Sequence, residues 1–99
     1  MLPSIKIHII DLLIKTAPDD HNSSYALDSL SCNIPASMLK VGCIVWNKTA
    51  NAPMVVNDIS RFANTNHDGH DLILHLSRRD ADPIMYFCAR KELVTLYRI

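Results

Sequence analysis

The sequence predicts a small α+β domain, built on a mostly antiparallel sheet of about five strands with one to three short helices. Three observations carry that expectation. First, short runs rich in β-branched and aromatic residues recur: Cys43-Ile44-Val45-Trp46, Leu72-Ile73-Leu74-His75-Leu76 and Leu93-Val94-Thr95-Leu96-Tyr97. Second, polar turn-forming segments separate them, along with short stretches that read as helical. Third, the last third, Asp71–Ile99, holds the densest apolar runs apart from the N-terminus, and a small core cannot close without it. At 99 residues the chain has room for one domain, residues 1–99, and no more.

At the N-terminus Ile5, Ile7 and Ile9 alternate with Lys6 and His8, which is strand period. One long strand through Ile14, bulged at Asp11, is the first expectation. An amphipathic helix using Ile5, Ile9, Leu12 and Leu13 is its rival, and Pro3 suits the start of either. Thr16–Ser24 reads as a loop. Ser23 or Ser24 would cap a short helix after it, with Asp28 near the first turn.

Ile34–Lys40 reads as one or two helical turns, with Pro35 near the first position and Gly42 as the stop. Cys43–Trp46 is then a strand. Met54-Val55-Val56 returns beside it as the second arm of a hairpin, over a connection without Gly. Gly is scarce, at 2, so Asn and Asp must serve where a turn needs a left-handed backbone. Asn57 or Asp58 would cap a short helix through Ala63. Asn64–Asp71 is a polar loop turning at Asp68-Gly69, and Leu72–Leu76 is a strand. For the remainder, a hairpin of Ile84–Cys88 with Leu93–Tyr97, turning at Arg90-Lys91-Glu92, is preferred to a C-terminal helix started by Asp82-Pro83.

Composition narrows the function classes. Hydrophobic residues are 48% and charged residues 20%, a globular balance. Lys plus Arg is 10 and Asp plus Glu is 10, which argues against partners recognised by bulk charge, such as nucleic acid or an anionic membrane. Zero net charge also removes a barrier to self-association. Cys32, Cys43 and Cys88 are odd in number and lack CxxC spacing, so free, mostly buried thiols in a reducing, cytoplasmic setting are expected. A nuclear setting is also compatible with them. Lys6, His8 and Asp11 interrupt the first apolar run, which therefore reads poorly as a secretory leader. No apolar run reaches membrane-spanning length.

Motifs for chemistry are sparse. Gly42 and Gly69 cannot make a phosphate loop, no serine sits in a nucleophile elbow, and Glu92 is the single glutamate. No catalytic residue and no cofactor is expected. The one local constellation is His67-Asp68-Gly69-His70-Asp71. There His67, His70 and Asp71 have the donor chemistry for zinc, manganese or iron, and such an ion could polarise water for hydrolysis. The spacing matches neither a helical HExxH site nor a calcium loop. Arg78, Arg79, Arg90 and Lys91 could form a modest basic face for nucleic acid, though no RNA-recognition signature accompanies them.

What is left is interaction. Trp46, Tyr86 and Tyr97 are large anchors of the kind that dominate interfaces, and Arg78 and Arg79 would flank them. The expectation is a non-enzymatic interaction or accessory domain that forms a homodimer and engages a larger protein, with no membrane partner. A metal-binding protein or metal-dependent hydrolase is the second reading, and a weak nucleic-acid binder the third.

Overall fold

Pro3 opens a fourteen-residue helix, α1 (Pro3–Thr16), in a computed structural model that describes residues 2–62 and 69–99. The strand expected here is thus a helix. Ile7 and Ile10 are buried and Ile14 packs beside them, while Ile5 and Leu12 stay exposed. That stripe has helical spacing, three then four. β-Branched residues weaken a helix by up to about 0.7 kcal/mol each, whereas burying an isoleucine is worth about 1.5–3 kcal/mol. Packing against the sheet therefore outweighs the strand propensity of the run.

The second helix, α2 (His21–Leu30), begins inside the segment expected to be a loop. Its cap is Asp20 and not Ser23 or Ser24. Asp20 Oδ1 accepts from the Asn22 amide at 3.1 Å, and Oδ2 accepts from the Ser23 hydroxyl at 2.7 Å. The Ser23 and Asn22 bonds hold the Asp20 carboxyl below its ordinary range.

A strand not foreseen in the sequence follows at once, β1 (Ser31–Pro35), then a 3₁₀ turn, Ala36–Met38. The helical segment expected over Ile34–Lys40 shrinks to that turn. The Ala36 amide donates to Glu92 O at 2.8 Å and the Ser37 amide to Arg90 O at 3.1 Å. These long-range bonds fix the backbone against a distant turn, so the segment does not continue as a helix.

Strands β2 (Ile44–Asn47) and β3 (Ala52–Arg61) form the expected hairpin. Asn51 takes φ +54 in its turn, the left-handed role that scarce glycine leaves to asparagine. The buried Asn47 side chain accepts from the Ala50 amide at 2.7 Å. The helix expected from Asn57 or Asp58 is absent, because β3 runs on to Arg61 through a bulge between Val56 and Asp58. The extra residue lets Val56 face Leu76 while Ile59 faces Leu74. Apolar residues three apart then lie on one sheet face, which imitates helical period in the sequence.

Strands β4 (Leu72–Arg78), β5 (Ala81–Cys88) and β6 (Leu93–Tyr97) complete a six-stranded antiparallel sheet, in order β1-β6-β2-β3-β4-β5. Both segments of the expected C-terminal hairpin are strands, but they do not pair with each other. Across the Arg79-Asp80 turn, β4 sets Leu76, Leu74 and Leu72 opposite Ile84, Tyr86 and Cys88. β6 instead lies between β1 and β2, with Val94 opposite Ile34 and Leu96 opposite Cys32 and Val45.

The sheet has two apolar faces. One carries α1 and α2, with Ile7 and Ile10 against Ile44 and Tyr97. The other, inner face is built from Val45, Met54, Val56, Leu72, Leu74, Leu76, Cys88 and Val94, closed at one end by Ala36 and Leu39. Tyr86 on β5 donates its hydroxyl to Glu92, just before β6. Four strand spacings of about 4.8 Å would hold those strands about 19 Å apart in a flat sheet. The sheet therefore curls, bringing β5 back towards β6. No described helix is long and apolar enough to cross a membrane.

The helical stripe makes a sharp prediction. Ile10→Ala should destabilise the fold by about 2–5 kcal/mol, and Leu12→Ala by well under about half of that. An alternating strand would place residues 10 and 12 on one face and give them similar costs. Urea unfolding of the two variants separates these outcomes.

Candidate interaction surface

The structure does not bring the expected interaction residues to one surface. Tyr97 is buried under α1, and burial pushes its hydroxyl pKa up. Trp46 is half-buried on the same face. Tyr86 lies on the opposite, inner face. Burial and then its bond to Glu92 push its pKa up to about 12.

Arg78 is a structural ion. Its Nη1 and Nη2 donate to the two carboxylate oxygens of Asp11 on α1, at 3.3 and 2.7 Å. Its Nε and Nη2 donate to Asp80 at 2.5 and 3.3 Å, and Nη1 also donates to Pro53 O at 3.1 Å. The bonds to Asp80 and Asp11 raise its pKa further, and Asp80 is lowered in turn by Arg78. Arg79, beside it, is exposed and lines a groove between α1 and the β4–β5 turn.

The expected metal-ligand set is described in part. His67 lies outside the described residues. Asp71 turns both oxygens to Arg90: Oδ1 accepts from the backbone amide at 2.9 Å, and Oδ2 pairs with Nε at 2.8 Å. His70 is half-buried. Among the described residues no group of three or more His, Cys, Asp or Glu could hold a metal ion. The domain, so far as it is described, is a small globular fold without an obvious catalytic metal or cysteine cluster.

A different surface emerges on the face shared with the helices, beyond their reach. α1 packs over β2 and β3. Further along, strand alternation turns Ile73 and His75 of β4 and Met85 and Phe87 of β5 to this face, in the cross-strand pairs Ile73↔Phe87 and His75↔Met85. His75 Nε2 lies 3.0 Å from the Ser60 hydroxyl on β3. Met85 is 55% exposed, Phe87 46% and Phe62, just past β3, 43%. In the sequence Met85 and Phe87 read as ordinary strand residues, and Phe62 as part of the short helix expected through Ala63. The signal available there was the uncharged run Ile84-Met85-Tyr86-Phe87-Cys88, whose importance depends on β5 being an edge strand.

No family model, no curated protein and no solved structure matches this chain.

The thiols provide a test of the inner face. Cys88 is fully buried and burial, then Glu92 and Asp71, pushes its pKa up to about 11, whereas Cys32 and Cys43 are half-buried. A thiol-reactive chromophore at pH about 8 should label Cys32 and Cys43 of the native protein well before Cys88, which reacts only on unfolding. Equal rates at all three would contradict this packing.

Proposed function

We propose that this protein is a non-enzymatic interaction domain that self-associates by pairing β5 with β5 of a second copy. One observation carries the reading: β5 is the sheet's outermost strand, and it bears Met85 and Phe87 exposed beside its unpaired edge. Soluble proteins usually guard such an edge with lysine, proline or inward charge. Here Asp82 and Pro83 guard only the start of the strand, and Ile84–Cys88 carries no charge. The opposite edge, β1, is five residues long and ends in Pro35.

Antiparallel pairing about a two-fold axis would continue the sheet across both copies. It would place Met85 and Phe87 of each on the same face, forming one shared apolar surface. Zero formal net charge puts little long-range repulsion in the way. The alternatives have less support. Arg78 and Arg90 are already bound to carboxylates, which leaves Arg79 and Lys91 of the basic set for nucleic acid. Asp71, the carboxylate of the metal set, is held by Arg90.

Light scattering coupled to size exclusion should find a dimer at micromolar concentrations. The exposed pair Met85→Lys and Phe87→Lys should raise the dissociation constant by about a hundredfold or more, roughly 2.7 kcal/mol, with the fold retained. A wild-type monomer at every accessible concentration, or a dimer indifferent to both substitutions, would sink the proposal.

A further inference from the structure

Strands β2 and β6 part company halfway along. β6 pairs with β1 over all five of its residues, and β2 pairs with β3 over all four. Yet β2 and β6 pair only at Ile44↔Tyr97 and Val45↔Leu96. Continued register would set Trp46 against Thr95 and Asn47 against Val94, and neither pair forms. The strands fork instead, and a cavity of about 180 Å³ occupies the fork.

Beneath it lie the buried side chains of Val45, Leu74 and Leu76, and Trp46, Tyr86 and Leu93 also line it. Its lining also includes two opposite charges, Lys48 from the end of β2 and Glu92 from the start of β6. Glu92 accepts from the Tyr86 hydroxyl, and no ion pair joins it to Lys48 among the described residues. Two opposite charges that line one cavity without pairing with each other define a ligand class. The ligand carries an ammonium for Glu92 and, close beside it, a carboxylate for Lys48, with an apolar side chain that enters the cavity. The volume limits that side chain, since an apolar cavity of about 150 Å³ accepts benzene and little more.

We infer that the β2–β6 fork is a binding site for a free α-amino acid with an aliphatic or aromatic side chain. The side chain rests on Val45, Leu74 and Leu76. The ammonium donates to the Glu92 carboxylate, whose Oε2 the Tyr86 hydroxyl already orients. The carboxylate meets Lys48. Charge-assisted bonds of this kind are about twice as strong as neutral ones, so both charged groups should be needed for binding. The site lies on the inner side of the sheet and does not depend on self-association through the β5 edge.

The test follows amide chemical shifts of the full chain by two-dimensional NMR during titration with L-leucine and L-phenylalanine. Two single-charge analogues of leucine, 3-methylbutylamine and 4-methylpentanoate, serve as controls. The expected result is saturable shifts centred on residues 46–48 and 92–95, with both analogues at least about tenfold weaker, or 1.4 kcal/mol. Lys48 is exposed, so Lys48→Glu should leave the fold intact and weaken leucine by a similar factor. Glu92→Gln tests the other charge, and its folded state is checked by the dispersion of the same spectrum. Absence of saturation up to about 10 mM ligand, where a millimolar site would be nearly full, overturns the inference. So do analogues that bind as well as leucine, or leucine binding indifferent to Lys48→Glu.

Discussion

One guanidinium organises the meeting of helix and sheet. Arg78 has five N–H donors, and the structure gives it five bonds: two to Asp11, two to Asp80 and one to Pro53 O. Those partners belong to α1, the β4–β5 turn and β3. The side chain is only 10% exposed, so every donor needs an acceptor, and none is left over. α1 itself offers isoleucine or leucine on most sides. An apolar stripe of that breadth can dock in several rotations at similar cost. Asp11 is the helix's one carboxylate, and pairing it bidentately with Arg78 selects the rotation that buries Ile7 and Ile10.

That docking decides what is covered. α1 lies over β2 and β3, and α2 follows it towards β1, so part of one sheet face is covered. The 3₁₀ turn and the Arg90–Glu92 segment close one end of the inner face through backbone hydrogen bonds. The outer part of β4 and β5 receives no cover from the described elements. Ile73, nearly buried, has Phe87 opposite it across the ladder. Exposure at Met85 and Phe87 is thus a consequence of where Arg78 sets the helix.

The sequence made the strand content legible and hid much of the wiring. β2, β4 and β6 were readable from branched and aromatic runs, and the need for asparagine in turns was readable from two glycines. α1 reads as a strand because Ile5, Ile7 and Ile9 alternate, and alternation in a short window cannot reveal which isoleucines find a partner. β3 reads as ending at Val56 because Asn57 and Asp58 look like caps of a helix through Ala63, whereas a bulge there carries the strand on to Arg61. The sequence suggests that β5 pairs with β6 because neighbours in sequence usually pair, whereas β6 inserts between β1 and β2 through contacts over 40 residues away in the chain. The candidate residues suffered from the same blindness. Residue type marked Tyr97 and Arg78 as available for partners, yet one is packed under a helix and the other is saturated with bonds inside the fold.

Strand β5 shows how little sequence is needed to serve two surfaces. Its period of two sends Tyr86 to the inner face, where the hydroxyl meets Glu92, and sends Met85 and Phe87 to the opposite face. A one-residue slip would exchange those sets, burying the exposed pair and expelling the tyrosine. The register is held by the Arg79-Asp80 turn, and Asp80 is itself held by Arg78. The residue that docks the helix therefore also anchors the turn from which β5 starts. Helix cover, strand register and the open edge of the sheet all trace to the same charged side chain.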